Sequence, residues 1–201
     1  MAGRPRASSQ RMLEEAASEL FLEQGYARTT IEQITQRAGV SRNTFFNYFG
    51  QKSELLWIEL DASLAALTEA LAATEGGTDP LDAVETALIA TARGFAAERT
   101  PLVLTQHEVM GIDDELTAAG LSRALRHADA IELFLQVHLP GDGDGVGVGD
   151  TALLARAVAL AVVGAAAAAV GGWAVAGPGR APLDAYVATA VHPVLEGFRI
   201  R

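Results

Sequence analysis

The residues most suited to chemistry in this sequence lie in one short stretch, GVSRNTFFNYFGQK, residues 39–52. In the DNA major groove, arginine side chains fork onto guanine, asparagine side chains pair with adenine, and a threonine methyl group can touch the thymine methyl. Three Phe and one Tyr lie among these polar residues, so some element must turn the aromatic rings away from the polar groups. The predicted base contacts are Arg42, Asn43, Thr44 and Asn47.

A short helix after a glycine turn separates the two kinds of residue. Phe45 and Phe49 are four apart and share one helical face, where they can pack, while the polar residues fall on the opposite face. Ser41 can cap this helix. The preceding IEQITQRAG, residues 31–39, has helical spacing and a terminal Gly. Two short helices joined by a tight turn are the helix-turn-helix layout, whose second helix enters the major groove.

The DNA backbone is expected to meet the edges of this face. The positive end of the first helix of the pair suits a phosphate, and a capping box there fits either Thr29 with Glu32 or Thr30 with Gln33. Hydroxyl and ammonium groups after the second helix also suit phosphate oxygens. The predicted phosphate contacts are Thr30, Tyr48 and Lys52. A solvated three-helix cap with no DNA role is the alternative that spacing alone leaves open.

Helical spacing of apolar residues recurs along the chain of 201 residues, and no alternating strand pattern is present. The sequence therefore predicts an all-α protein, in which an N-terminal three-helix helix-turn-helix domain precedes a larger helical domain. A longer helix is expected to begin at Ser53. The predicted divisions are a flexible basic arm over 1–8, a DNA-binding domain over 9–52 and the helical domain over 53–201.

The charge distribution suits nucleic acid at one end of the chain. Residues 1–58 carry seven Lys/Arg against six Asp/Glu, whereas the remainder carries eight against nineteen. Local fields, rather than the net charge of −10, decide which partner is attracted. In the N-terminal GRPR, Arg4 and Arg6 are predicted to enter the minor groove of A·T-rich DNA. A disordered basic tail that adds non-specific affinity is the alternative.

Patterns for catalysis and metal binding are missing from the sequence. The chain has no Cys, which excludes disulfides and thiolate metal sites and fits an intracellular location. The four His have no partners at metal-ligand spacing, and GDGDG lacks the distal Glu of a calcium loop. No nucleophile elbow or dinucleotide fingerprint occurs. We expect no metal, no cofactor and no enzymatic activity.

The segment TTIEQITQRAGVSRNTFFNYFGQKSELL, residues 29–56, resembles the DNA-binding segment of the TetR/AcrR family of bacterial repressors. That family's pattern runs roughly T-x-x-x-I-A-x-x-A-G-V-S-x-x-T-L-Y-x-Y-F-x-x-K-x-x-L. Two positions depart from it: Phe46 stands where the family has a Tyr with a phosphate-contacting hydroxyl, and Thr35 stands where it has an Ala. The TFFNYF stretch also resembles a branch of the family whose members bind acyl-CoA-like ligands.

The resemblance implies a cytoplasmic, homodimeric DNA-binding repressor of a palindromic operator, released by a small, largely apolar effector, with an acyl-CoA-like molecule as one candidate. Residues 53–201 are then the ligand-binding and dimerisation domain. The candidate pocket residues, for which core packing is the alternative, are Phe95, His107, Met110, Phe134 and Trp173. The competing function is a helical small-molecule-binding or scaffold protein without specific DNA binding.

A long uncharged stretch near the C-terminus has two interpretations. Residues 157–179 contain no charged side chain, which is a membrane-span signal, but they are rich in Ala and Gly, and insertion scales favour larger residues. A helix buried on several sides, with no membrane contact, is the preferred interpretation. Small residues spaced four apart favour close helix approach, and a monomeric core is the alternative to dimerisation. The predicted dimer interface consists of Gly164, Ala168, Gly172, Val191 and Leu195.

Overall fold

The computed structural model describes residues 6–95, 101–139, 148–177 and 179–199, and across these ranges it contains helices and no strand. The predicted all-α class is therefore confirmed. The elements are α1 (Arg6–Gln24), α2 (Ile31–Ala38), α3 (Arg42–Phe46), a 3₁₀-helix (Lys52–Leu56), α4 (Ile58–Ala72), α5 (Pro80–Arg93), α6 (Leu102–Thr105), α7 (His107–Met110), α8 (Asp113–His138), α9 (Val148–Val175) and α10 (Leu183–Arg199).

Side-chain caps define the two short helices that follow α1. Of the two capping boxes that the sequence allows, the structure has Thr30 with Gln33: the Thr30 hydroxyl accepts the Gln33 N–H, and the Gln33 amide oxygen accepts the Thr30 N–H. Gly39 ends α2 with φ 65°, in the left-handed region that favours glycine. Ser41 caps α3 as predicted, because its Oγ accepts the Thr44 N–H.

Phe45 of α3 and Phe49, which follows the helix, are buried together with side chains of the first two helices. Phe45 is completely buried, and its ring centroid lies 5.6 Å from that of Phe49, which is also buried. Ile34 of α2 and Leu13 of α1 are buried as well. The predicted inward face of α3 is confirmed.

The helix expected to begin at Ser53 begins later. Residues 52–56 form the separate 3₁₀-helix, and α4 starts at Ile58. The Glu54 carboxylate accepts the Gly50 N–H at 2.9 Å, so it holds the turn that leads into the 3₁₀-helix. Leu56 and Trp57 at its end are both buried. The start of α4 is thus set by local hydrogen bonding and by burial of adjacent side chains.

The described residues form two compact units. The first comprises α1 to Ile58 together with Pro101–Thr117, and the second comprises the helical residues from Glu59 to Phe95 and from Ala118 onward. The sequence-based division after residue 52 assigned residues 101–117 to the helical domain, whereas the structure groups them with the first unit. A backbone hydrogen bond of 2.9 Å from the Tyr26 N–H to the Met110 carbonyl joins this segment to the turn after α1.

The second unit is built around α10, which packs against both α5 and α9. The side chains Leu183, Val187, Val191 and Leu195 form its buried stripe. At the rim of this packing, Arg93 pairs with Asp184, and Arg199 pairs with Asp82. The apolar stripe predicted for the last helix therefore faces the core of its own chain.

Most of α9 lies outside this core. Residues Thr151–Val175 are long and apolar enough to cross a membrane by length and composition, and 33% of an apolar 18-residue window within them is buried. Its buried side chains include Ala155, Val162 and Trp173. The expected burial on several sides is therefore not found in the single chain. An outward stripe without charge is exposed along α9: Leu153, Ala157, Leu160, Gly164, Ala168, Gly171 and Val175.

We predict that Gly39→Ala lowers the free energy of unfolding by about 1–2 kcal/mol, because an L-residue is strained in the left-handed region. The added Cβ meets no atom within 4 Å, so backbone strain is the only cost. Gly197→Ala is the matched control. This glycine of α10 also has open space around it but has no positive φ, so its replacement should be neutral or stabilising by about 0.5–1 kcal/mol. Urea unfolding followed by circular dichroism measures both, and equal losses would contradict the assignment.

Candidate nucleic-acid interface

The polar residues of α3 and its C-cap lie on the accessible side of the helix. Arg42, Asn43 and Asn47 are exposed, Thr44 is half-buried, and Phe45 between them is fully buried. This separation is the arrangement that a recognition helix requires, because base edges can be reached only by side chains that point away from the supporting core. The four predicted base contacts therefore share one small helix of five residues and its C-cap.

Arg42 is held in place by two neighbours. Its Nη1 donates to a carboxylate oxygen of Glu32 in the first turn of α2. Its guanidinium carbon lies 5.5 Å from the centroid of the Phe46 ring. Phe46 in turn meets the buried Phe45 edge-on, with centroids 5.3 Å apart. Phe46, which departs from the family pattern, thus supports an arginine in this chain.

Thr44 contributes to the cap of its own helix. Its hydroxyl oxygen lies 2.8 Å from that of Ser41, and its N–H donates to Ser41 Oγ at 3.1 Å. The second departure from the family pattern, Thr35, is also satisfied internally, since its hydroxyl donates to the Glu32 carbonyl at 3.0 Å. Thr35 is buried, so it shapes the turn rather than the exposed surface.

The predicted phosphate contacts have different surroundings. Thr30 is exposed at the N-terminus of α2, where the helix presents its positive end. Tyr48 is half-buried, with its ring centroid 6.3 Å from that of Phe49. Phosphate contact by either residue remains a prediction.

Lys52 has a structural role that the sequence did not reveal. Its Nζ donates to the carbonyl oxygens of Tyr26 and Thr29, each at 2.7 Å, and lies 4.0 Å from the Tyr26 ring centroid. Partial burial lowers the pKa of the Lys52 ammonium from its usual value. Two of its three protons are therefore used to hold the turn between α1 and α2. A phosphate contact by Lys52 remains a prediction, and the third N–H of its ammonium group is the donor that could make it.

The basic arm lies at the edge of the described structure. Arg4 is outside the described residues, and Arg6 is the first residue of α1, with a side chain that is also outside them. Insertion of this arm into a minor groove stays a prediction.

The five candidate pocket residues divide between the two units. His107 and Met110 belong to the segment that packs with α1, where Met110 is buried and His107 Nδ1 lies 2.6 Å from an Asp113 oxygen. Phe95, Phe134 and Trp173 belong to the second unit. Trp173 is completely buried, and its indole N–H donates to the Ala181 carbonyl at 3.2 Å. Met110 and Trp173 are therefore buried core residues in the structure, which is the alternative given for the candidate pocket residues.

The five predicted interface residues differ in accessibility. Gly164, Ala168 and Gly172 are exposed on α9. Val191 and Leu195 are completely buried in the second unit, so they cannot meet a second chain without unpacking the core. The prediction is corrected for these two residues: the broad apolar stripe of α10 is covered by α5 and α9 of the same chain.

Known proteins are similar to this chain over its helix-turn-helix region. The family model described as "Bacterial regulatory proteins, tetR family" matches residues 13–56. The chain is 41% identical over 68 residues to the transcriptional regulator TcmR of Streptomyces glaucescens, covering 34% of this chain and 30% of that protein. The regulator HbdR of Aromatoleum sp. (strain CIB) is 37% identical over 90 residues, which cover 44% of this chain and 39% of HbdR. The chain thus matches less than half the length of these relatives.

Solved structures extend the similarity along the chain. FadR of Thermus thermophilus, a TetR-family transcriptional repressor in complex with lauroyl-CoA, matches with a TM-score of 0.55 at 27% identity over 96% of each chain. FadR from Bacillus halodurans matches with a TM-score of 0.60 at 17% identity over 99% of each chain, which shows the fold alone. Fold and interface together define an all-α protein with an N-terminal helix-turn-helix. Residues 13–56 match the tetR family of bacterial regulatory proteins, and the relatives named above are transcriptional regulators.

We predict that Lys52→Ala lowers the free energy of unfolding by about 1–2 kcal/mol, because two partly buried carbonyls lose hydrogen bonds from a charged donor. Most of the loss should persist in high salt, since these bonds are partly shielded from solvent ions. Arg28→Ala is the matched control: this exposed cation donates to a single carbonyl, that of Gln24, and its loss should cost less than about 0.5 kcal/mol. Urea unfolding at two salt concentrations measures both. No loss of stability in Lys52→Ala would contradict the structural role.

Proposed function

We propose that the protein is a homodimeric DNA-binding transcriptional repressor that binds a palindromic operator through α3 and is released by a small, largely apolar effector. The observation that carries this proposal is the division of α3 into a buried aromatic side and an exposed side with Arg42, Asn43 and Asn47. The residues matched by the family model, 13–56, are those that build this division.

The electrostatics of the chain support this assignment of roles. The acidic excess lies beyond residue 58, whereas the first 58 residues are nearly balanced. The carboxylates of Glu19 and Glu23 pair with Arg37, so part of the negative charge near α2 is compensated locally. The interface is therefore the part of the chain on which a polyanion meets the least repulsion.

Dimerisation supplies the specificity that one α3 lacks. A helix of five residues reads few bases, whereas two copies about 34–36 Å apart read both halves of a palindrome. The outward face of α9, from Leu153 to Val175, is uncharged and exposed in the single chain. Burying this face against a second copy removes apolar surface from water, and the glycines allow close helix approach. We propose this face, with Gly164, Ala168 and Gly172, as the dimer interface.

The effector is proposed by analogy with a relative. The Thermus thermophilus FadR that matches this chain was solved with lauroyl-CoA, and an acyl thioester is accordingly the class of effector that we propose. Phe95 and Phe134, half-buried at the edge of the apolar core of the second unit, are candidates to contact its chain. An effector releases DNA only if it binds the released state more tightly than the DNA-binding state.

A mobility-shift experiment tests the DNA-binding proposal. Purified protein is mixed with DNA from upstream of its own gene at two salt concentrations, with and without competitor DNA. A discrete complex that survives competitor and contains two protomers supports the proposal. A shift that any competitor abolishes would instead support a helical binding or scaffold protein without specific DNA recognition.

We predict that Asn47→Ala weakens operator binding by about 1–3 kcal/mol and relaxes the preference for one base in each half-site, because an asparagine amide pairs with adenine through two hydrogen bonds. Gln36→Ala, which removes an exposed amide from α2, should change neither quantity. Fluorescence anisotropy on the operator and on single-base variants measures both effects. An equal loss on every DNA sequence would exclude a base contact by Asn47.

We predict that Leu160→Asp converts the dimer to a monomer, because it places a charge on the exposed face of α9 that the dimer buries. Leu133→Asp is the matched control: Leu133 is an exposed leucine of α8, outside the proposed interface, and its replacement should leave the dimer intact. Sedimentation velocity over a range of concentrations reports the assembly state. A Leu160→Asp protein that remains dimeric would place the interface elsewhere.

A further inference from the structure

One ion pair joins the two short helices on the exposed side of the interface. Glu32, in the first turn of α2, accepts a hydrogen bond from Arg42 Nη1 at the start of α3. The two side chains are 59% and 61% exposed. Exposed ion pairs contribute little to folding stability, so the pair with Arg42 adds little to what the Glu32 carboxylate gains from the positive end of α2.

Helix capping does not account for Glu32. The cap of α2 is built by Thr30 and Gln33, whose side chains satisfy each other's backbone N–H groups. A carboxylate beside the N-terminus of α2 repels a phosphate that approaches the same helix end. Glu32 therefore carries a cost for DNA binding, which a favourable effect on Arg42 could offset.

That effect is visible in how Arg42 is held. The guanidinium has five N–H donors, of which Glu32 takes one on Nη1. The Phe46 ring lies beneath the guanidinium, with 5.5 Å between its centroid and Arg42 Cζ. Phe46 itself is fixed against the buried Phe45. An arginine restrained by two neighbours loses less side-chain entropy when it pairs with a base.

We infer that Glu32 is a positioning residue that sets base specificity: it orients the Arg42 guanidinium so that the remaining donors pair with O6 and N7 of a guanine. The inference rests on the proposed DNA-binding function. It implies that Glu32 lowers affinity for DNA in general while it raises the preference for guanine at one position. These two effects have opposite signs, and a purely structural residue would not produce them together.

The test uses Glu32→Gln, which keeps the size of the side chain and removes its charge. Fluorescence anisotropy gives dissociation constants for a duplex that the wild-type protein selects from random sequence, for the same duplex with single guanines replaced by adenine, and for an unrelated duplex. The guanine read by Arg42 is the one at which Arg42→Ala loses discrimination. For the wild-type protein, a bidentate arginine contact should give roughly ten-fold or greater discrimination at that guanine.

We expect Glu32→Gln to reduce this discrimination to about three-fold or less and to strengthen binding to the unrelated duplex by about two-fold, since one repulsive charge is gone. In Arg42→Ala, adding Glu32→Gln should cause no further loss of discrimination. Glu19→Gln is the matched control, because it removes an exposed carboxylate of α1 that also pairs with an arginine, in this case Arg37 of α2. Its discrimination should equal that of the wild-type protein.

Two results would overturn the inference. If Glu32→Gln still discriminated guanine from adenine as the wild-type protein does, Arg42 would not need Glu32 to orient its guanidinium. Tighter operator binding with greater discrimination would show that Glu32 competes with DNA for Arg42. Thermal unfolding checks that the variant is folded, and Glu32→Ala serves as a second variant for the same measurements. A wild-type protein that binds all duplexes equally would overturn the proposed function itself, which is a separate outcome.

Discussion

The interface depends on the burial of Phe45 and Phe49 beneath a helix of only five residues. Helices of this length do not persist alone in water, because the cost of the first turn is not repaid by further hydrogen bonds. The two rings tie α3 to α1 and α2 through contact with the same apolar core. Once the aromatic side is fixed, the opposite side must face outward, and the accessible positions of Arg42 and Asn47 follow.

The turn between α1 and α2 is held from two directions. Lys52 donates to the carbonyls of Tyr26 and Thr29, and the Tyr26 N–H donates to the Met110 carbonyl. The segment 101–117 is therefore part of the unit that carries α3, although its continuation, from Ala118 onward, belongs to the other unit.

Local patterns in the sequence were enough to predict the caps and the two sides of the recognition helix. Gly39 and Ser41 act on neighbours within four residues, so their roles can be read from spacing, whereas spacing left open whether Thr29 or Thr30 forms the capping box of α2. The carbonyl partners of Lys52 lie more than twenty residues away, and no periodicity encodes which backbone oxygens a lysine meets. The stripe of α10 with Val191 was recognisable as apolar, but periodicity cannot tell whether its partner is the same chain or a second one.

The central claim is that α3 reads DNA bases from a dimer. Selection of bound duplexes from a random DNA pool, followed by sequencing, tests it most directly. The account predicts an enriched palindrome with guanine and adenine in each half-site and with half-site centres about one helical turn, or a multiple of it, apart. A pool that stays random after repeated selection would contradict the account, because the exposed side of α3 would then carry no base readout.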